Sequence, residues 1–424
     1  MRIESRGVGR VLVGVVLVGC AFKLCAAGFR LPDQDAFATA RGEAFAATAD
    51  NASAIYYNPA GISQLQGNNF RGGIYGIYLD PSYQSPSGGS FQNQATLHAV
   101  PQLFYAYGQT NSILSGGVGL YSPYGLGLRW PQDAGFRTVA TESSLTYFTL
   151  NPVAAFKILP NLSVGAGLTI NYAAADLQQG LVWPSQENDG LRFKGDGWDV
   201  GYNLGLLWKP HEKVSIGASF RSPTRVGLEG HTEYYNNVAF PPRVGAVPAF
   251  PQQTVDARTD FPFPLNAIFG ISFRPTPKWN FEFDADYTDW SCLDSITIQQ
   301  AKGFPPLLPQ NIPVAFGWQP SWYYEFGATR FLDKGWSVSA GYIFNENCVP
   351  DAHYSPLVAD LDRHFISVGA GHKGERFDFD IAYQFGYGPA RTVTGSAPSA
   401  TGQTADGRYE FLSHAMLVTV GMHF

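Results

Sequence analysis

The sequence predicts an all-β fold, a transmembrane antiparallel β-barrel of about 14 strands with a small N-terminal plug, or hatch, inside its lumen. Three observations predict it. Apolar residues alternate with small or polar ones along most of the 424-residue chain. Short turns alternate with long loops. Only 15% of the residues are charged, fewer than the quarter or so usual in soluble domains. We divide the chain into a signal peptide (1–26), a hatch (27–67) and a barrel (68–424).

The N-terminus has the pattern of an export signal. Three arginines precede the short apolar stretch 11–20. Cleavage after Ala26 would start the mature chain at Ala27, but residues 17–20 (LVGC) also resemble a lipoprotein cleavage site ending at Cys20. The sequence leaves these two processing routes open. After the N-terminus no apolar run approaches the roughly 18 residues of a spanning helix.

The strand pattern favours a membrane barrel over a soluble β protein. In residues 161–172 one face is apolar, whereas the other carries glycine, serine, threonine and asparagine. A soluble sheet would expose lysine and glutamate on its polar face instead. Five tryptophans near strand ends are expected in the interfacial girdles: Trp198, Trp208, Trp279, Trp290 and Trp336.

The turns and the C-terminus indicate closure of this barrel in a bacterial outer membrane. Tight turns near residues 160, 210, 276, 334 and 374 alternate with long loops, as short periplasmic turns and long external loops would. Residues 416–424 alternate up to the terminal Phe424, which resembles the assembly signal of such barrels and leaves no free edge. The expected partners are outer-membrane lipid, lipopolysaccharide and the barrel assembly machinery, and the chain is expected to be a monomer. With a net charge of -6 and no basic run, nucleic-acid binding is not expected.

The segment before the first strand has a different character. Residues 28–66 interrupt the alternation with an alanine-rich stretch at 35–50 and an irregular stretch at 55–61. About 40 residues are too few for a separate stable core, and a barrel of about 14 strands is too wide to be filled by its own side chains. The lumen is therefore the expected place for this hatch.

Several motifs resemble the FadL/TodX family of transporters for long-chain fatty acids and related hydrophobic compounds, and they occur in the family's order. They are residues 27–29 (AGF), 47–51 (ATADN), 58–60 (NPA), 121–126 (YSPYGL), 287–291 (YTDWS), 349–351 (VPD) and 360–363 (DLDR). The resemblance implies passive transport of a fatty acid, without catalysis or cofactor. The alternatives are aromatic hydrocarbon uptake, a general porin and an outer-membrane phospholipase.

The resemblance also implies a route, from an external groove to an internal site and then out sideways at a kinked third strand. Its implied hatch and substrate-path residues are Phe29, Leu31, Asn51, Asn58, Pro59, Ala60 and Gly61. The implied lateral opening is at Gly116, Gly117 and Gly119, although these glycines could merely make room in the lumen.

The apolar loop 231–253 is expected to form the capture groove through Tyr234, Tyr235, Phe240 and Phe250, or else to be an ordered lid. Arg192, Lys194 and Arg221 are candidates to bind a carboxylate.

The remaining chemical motifs are weak. Residues 369–374 (GAGHKG) fit a nucleotide-binding pattern but enter a hairpin without a helix, and the eight histidines lack metal-ligand spacing. Counted from the turns, Cys292 and Cys348 lie just beyond the external ends of two nearby strands. They are expected to form a disulfide, or to be two unpaired residues.

Overall fold

The computed structural model describes residues 28–94, 97–109, 112–181, 189–236, 250–303 and 309–424 as an antiparallel barrel around a central segment. Nine barrel strands are single segments: β1 (Gly67–Leu79), β4 (Leu97–Gly108), β7 (Glu142–Leu159), β8 (Leu162–Gln179), β9 (Asp189–His211), β18 (Trp336–Asn345), β19 (Arg363–Lys373), β20 (Phe377–Val393) and β21 (Gly407–His423). The short strands β2 (Ser82–Gln84) and β3 (Ser90–Gln92) form a hairpin in the first external loop.

Five further barrel strands are each broken into two segments. They are β5 (Leu114–Tyr121) with β6 (Gly125–Arg129), β10 (Val214–Arg221) with β11 (Thr224–Asn236), β12 (Phe250–Phe263) with β13 (Asn266–Thr276), β14 (Trp279–Thr288) with β15 (Ser295–Gln300), and β16 (Asn311–Ala315) with β17 (Ser321–Phe331). Pro123, Pro223, Pro264 and Pro320 lie at four of these breaks, because proline lacks the N–H that a ladder needs. A 3-10 helix, Trp290–Cys292, lies in the fifth.

The barrel has fourteen strands among the described residues and is closed by the pairing of β1 with β21. The predicted fold class is therefore confirmed. Along β21, Ala415 and Leu417 are buried inside, whereas Met416 and Val418 are exposed outside. Trp198, Trp208 and Trp336 are exposed as expected of girdle residues, but Trp290 is fully buried. The prediction that Trp290 lies in the interfacial girdle is wrong, because the break after β14 turns this side chain inward.

The central segment contains short helices. Helix α1 (Ala36–Ala40) begins at Asp35, whose carboxylate accepts from the backbone N of Phe37 and Ala38. Helix α2 (Ala54–Tyr57) is followed by a 3-10 helix, Pro59–Gln64, capped by Asn58. Nearly all of these residues are buried and contact strands around the barrel wall. None of the helices among the described residues is long and apolar enough to cross a membrane.

Candidate functional site

Two carboxylates on β14 hold one side of the central segment, residues 28–66, which corresponds to the hatch predicted over residues 27–67. Asp284 Oδ2 accepts from the backbone N of Phe45 at 2.9 Å and of Ala46 at 2.8 Å. Glu282 Oε1 accepts from the backbone N of Ala47 at 2.7 Å, and its other oxygen pairs with Arg41 at 3.1 Å. The backbone amides of this part of the hatch have no partners within a helix, so the two carboxylates satisfy them and attach the hatch to the barrel wall.

Asn58 holds the opposite side of the hatch. Its Nδ2 donates to Ala46 O at 2.7 Å and to Leu206 O, on β9, at 2.9 Å. Its Oδ1 accepts from the backbone N of Ala60 at 3.2 Å. One buried side chain therefore joins two parts of the hatch to the barrel. Asn51 is also structural, since its Oδ1 accepts from Ser53 N at 2.8 Å.

Inward-facing glycines form the seat on which the hatch packs. A Cβ on Gly205 would lie 2.3 Å from Oδ1 of Asn58, and one on Gly165 would lie 2.5 Å from the backbone N of Ala60. Within the hatch itself, a Cβ on Gly61 would lie 2.3 Å from Ala49 O. Other glycines of the wall approach hatch atoms in the same way: Gly117, Gly119, Gly217, Gly327, Gly341 and Gly369.

The expected lateral opening at Gly116, Gly117 and Gly119 is therefore misplaced. All three lie in β5, which is hydrogen-bonded to β4 on one side and to β7 on the other. Gly117 and Gly119 face inward, and a Cβ on either would lie 2.9 Å from the side chain of Ile55 in the hatch. Close approach of the hatch, rather than a kink, accounts for these two glycines.

The wall opens a few residues further along the third strand, at the break 122–124. Beyond the break β6 pairs with β7, and the facing part of β4, residues 97–102, pairs with β1. No ladder joins β4 to β6 among the described residues. Below, the Leu103–Leu120 pair closes the gap, and above, Gln94 N donates to Arg129 O at 2.7 Å. We call this gap, bordered by residues 97–102 and 121–128, the side window.

The start of the hatch lines the inner edge of the side window. Leu31 N donates to Pro123 O at 2.9 Å, and Gly125 N donates to Phe29 O at 3.0 Å. The ring of Phe29 lies 4.7 Å from that of Trp290 and 5.6 Å from that of Trp318. Phe29 and Leu31, expected on the substrate path from the sequence, are thus brought together with the break in the third strand.

A cavity of about 430 Å³ connects the lumen with the side window, a volume within the range of ligand pockets. Its lining is mostly apolar and includes Leu79, Leu97, Leu126, Leu145, Phe148 and Phe411. Polar side chains are fewer and include Arg30, Asp33, His98, Asn345, Arg363 and Gln384. The cavity therefore suits an elongated hydrophobic molecule with a polar group.

Arg363 is one of two arginines in the lining, and the sequence pattern did not reveal it as a ligand residue. Its guanidinium lies 4.4 Å from the centre of the Phe411 ring, and its Nη2 is 3.9 Å from Asp360 Oδ1, beyond hydrogen-bonding distance. Its buried Nε has no hydrogen-bond partner among the described residues. Arg363 is the last residue of the motif at 360–363, and this motif was the only sequence signal that could have identified it.

The three cations proposed from the sequence do not line this cavity. Arg192 Nε donates to Asp176 at 2.8 Å and is also near Glu233. Lys194 is exposed. The guanidinium of Arg221 lies 4.7 Å from the Tyr56 ring and 5.3 Å from that of Tyr121. These predictions are wrong for the cavity, because the first two side chains face outward and the third is enclosed by aromatic rings.

The proposed capture groove is only partly within the described residues. Phe240 lies outside them, and only the backbone of Phe250 is described. Tyr234 is fully buried, so it cannot belong to an exposed groove, whereas Tyr235 is half-buried.

The predicted disulfide is not formed. Cys292 and Cys348 are both thiols, and Sγ of Cys348 lies 3.5 Å from Asp360 Oδ2. The correction follows from the break after β14, which places Cys292 on a 3-10 turn beside the aromatic cluster instead of on an external loop.

Two carboxyl groups of the hatch face each other beside the cavity. Gln384 Nε2 donates to Asp33 Oδ1 at 2.9 Å, and Tyr57 OH donates to Glu43 Oε2 at 2.6 Å. Burial raises the pKa of Asp33, and burial together with the charge of Asp33 raises the pKa of Glu43 well above its usual range. Raised pKa values favour the neutral, protonated form of both carboxyl groups.

A second cavity, of about 910 Å³, lies at the opposite end of the lumen. Hatch residues 63–66 line it together with Lys157, Lys209 and Phe424 at the short-turn end of the barrel. Hatch residues 28–33 line the first cavity. The hatch therefore lies between the two cavities.

The closed barrel, its internal hatch and the cavity that reaches its wall define an outer-membrane transport protein. The comparison with known families agrees. Residues 17–424 match the family described as "Outer membrane protein transport protein (OMPP1/FadL/TodX)", and the chain belongs to this family.

Relatives extend over most of the chain. The long-chain fatty acid transport protein of Escherichia coli K12 is 23% identical over 388 residues, covering 80% of this chain and 83% of that protein. The 47 kDa outer membrane protein of Pasteurella multocida is 26% identical over 403 residues, covering 89% and 90%.

Solved structures share the fold. A Pseudomonas aeruginosa FadL homologue has a TM-score of 0.81 at 18% identity, covering 94% of this chain and 100% of that one. The Pseudomonas putida toluene transporter TodX has a TM-score of 0.74 at 17% identity, covering 93% and 99%.

Proposed function

We propose that this protein carries long-chain fatty acids passively across the outer membrane, and that they leave the lumen through the side window. The observation that carries the proposal is the 430 Å³ cavity, which has more apolar than polar residues in its lining and includes the guanidinium of Arg363. The other lining arginine, Arg30, is ion-paired with Asp286. A hydrocarbon tail fits the apolar part, and a carboxylate fits Arg363. The E. coli relative is named a long-chain fatty acid transport protein.

Arg363 also discriminates against the alternative ligand. Toluene, named for the P. putida neighbour, has no acceptor, so it would leave the buried Nε without a partner, which is costly. A general porin is disfavoured because the hatch lies between the two cavities. A phospholipase is disfavoured because the family is described as one of transport proteins and the E. coli relative is named a transport protein.

Further partners belong to the same proposal. The exposed apolar outer face would contact lipid and lipopolysaccharide, and the last strand, ending at Phe424, would be recognised by the barrel assembly machinery. We propose that the chain acts as a monomer, since its barrel closes on itself and each barrel contains its own cavity and window.

Ligand binding to the purified protein in detergent tests the ligand class. The Arg363→Met variant is expected to bind oleate more weakly while binding oleyl alcohol like the wild type. A charge-assisted hydrogen bond contributes about 1.5–3 kcal/mol, which corresponds to roughly 10- to 150-fold in Kd.

The matched control is Arg330→Met, since Arg330 lies over the outer ring of Trp279. Folding of both proteins is checked by their heat-modifiable migration on a gel. If folded wild type and folded Arg363→Met bind oleate with equal affinity, Arg363 is rejected as the anchor. Tighter binding of toluene than of oleate would reject the fatty acid.

A further inference from the structure

We propose that His98 determines which hydrocarbon shapes pass the side window, favouring unbranched chains over branched or polycyclic ones. The inference rests on the proposed exit through the window. It starts from the position of the imidazole on β4, inside the wall and half-buried, where it contributes to the lining of the cavity.

The imidazole lies across the window against the facing strand. A Cβ on Gly127, in β6, would lie 2.2 Å from Cε1 of His98 and 2.9 Å from its Nδ1. Real Cβ atoms do not approach this closely, so the ring occupies the place that a side chain at position 127 would take. Glycine at 127 thus permits a side chain from β4 to bridge the gap that no ladder closes.

A second glycine repeats the arrangement nearer the middle of the barrel. A Cβ on Gly125 would lie 2.7 Å from Cδ1 of Leu31. Gly125 and Gly127 are two residues apart, so they share one face of β6, and each is covered by one side chain. Leu31 comes from the hatch, whereas His98 comes from the wall.

The backbone edges of the window are fixed by their outer neighbours. Residues 97–102 of β4 are paired with β1, and residues 125–129 of β6 are paired with β7. The open cross-section of the side window therefore depends on the side chains between these two edges. His98 is one of them, and its backbone is held in place because β4 is paired with β1. A straight alkyl chain has a narrow cross-section and can lie flat beside a planar ring, whereas a methyl branch needs space that the ring and Gly127 do not leave.

Uptake measured in cells that express the full chain as their only such transporter tests the proposal. The readout is the ratio of uptake of a methyl-branched C16 acid to uptake of palmitate. His98→Ala is expected to raise this ratio roughly tenfold, the effect of about one methyl group in a tight apolar site. His98→Phe keeps the bulk and is expected to keep the ratio within about twofold of wild type.

Substitutions that narrow the window complete the test. Gly127→Leu is expected to lower uptake of both acids. If Gly127→Leu fails to fold, His98→Trp replaces it, because its larger ring also narrows the window. Leu103→Ala, on the lipid-facing side of β4, and Gly76→Leu, whose Cβ has 3.8 Å of clearance, are the matched controls and should leave the ratio unchanged.

The proposal is overturned if His98→Ala leaves the ratio at the wild-type value, or if His98→Phe shifts it as His98→Ala does. Absence of palmitate uptake by the wild-type chain is a different result. It would reject the proposed function itself.

Discussion

Loss of the Asn58 side chain should release the hatch without unfolding the barrel. Asn58→Ala removes the donor to Ala46 O and Leu206 O and the cap of the 3-10 helix at Ala60 N. An unsatisfied buried acceptor costs about 1–3 kcal/mol, and a lost N-cap costs about 1 kcal/mol. With partial relaxation, a total of about 3 kcal/mol is expected, which raises the population of the displaced hatch about a hundredfold.

Hydrogen exchange followed by mass spectrometry measures that population directly. Peptides covering residues 36–64 should exchange about a hundredfold faster in Asn58→Ala, whereas peptides from β18 to β21 should exchange as in the wild type. Asn347→Ala, which removes an amide side chain bonded within an external loop, is the control. Wild-type protection of the hatch in Asn58→Ala would refute the assignment of Asn58 as its anchor.

The other predictions concern the carboxyl pair, the seat and the thiols. Because the pKa of Glu43 is raised in the folded protein, its contribution to hatch stability is complete below the unfolded value of about 4.3 and is lost as pH rises through the folded value. Each pH unit between the two pKa values contributes about 1.4 kcal/mol. Glu43→Gln should flatten the pH dependence of hatch exchange, and an unchanged slope would contradict the raised pKa of Glu43. Gly205→Leu should displace the hatch, since even a Cβ would lie 2.3 Å from Asn58 Oδ1, and exchange of residues 54–64 at the wild-type rate would contradict the seat. Cys292 should resist iodoacetamide at pH 8 in the native protein because it packs against the buried aromatic cluster. Both cysteines should be alkylated after unfolding without reductant, and a mass showing no adduct would instead indicate a disulfide.

Local sequence signals predicted most of the barrel. The alternation in β14, with Trp279, Phe281 and Phe283 against Asn280, Glu282 and Asp284, identified both the strand and its polar inner face. It did not identify Glu282 and Asp284 as anchors, because their partners are backbone amides more than 230 residues away in the chain. Such contacts depend on how the whole barrel closes, which no local pattern contains.

The position of the side window was missed although two prolines indicated it. Proline within a strand indicates an edge, since it donates no hydrogen bond, and Pro101 lies in the part of β4 that faces the window. Pro123 lies at the break itself. The prediction from sequence instead used the glycines of β5, whose small size is explained by the approach of Ile55. Glycine alone does not distinguish a kink from a packing contact.

Arg363 was missed for a related reason. At the start of β19, its environment is set by Phe411 from β21 and by Asp360 from the preceding loop. Arg192 and Arg221 are equally basic in the sequence, and only their neighbours, carboxylates for one and aromatic rings for the other, remove them from the set of ligand residues.

Photo-crosslinking of a fatty acid tests the sideways exit most directly. Oleate carrying a diazirine near its terminal carbon, irradiated on the protein in lipid nanodiscs, should label peptides containing residues 97–101 and 124–128, which border both the cavity and the side window. Labelling confined to the second cavity, at Ser63, Lys157 or Lys209, with none at the window, would show passage through the hatch and contradict the proposed route.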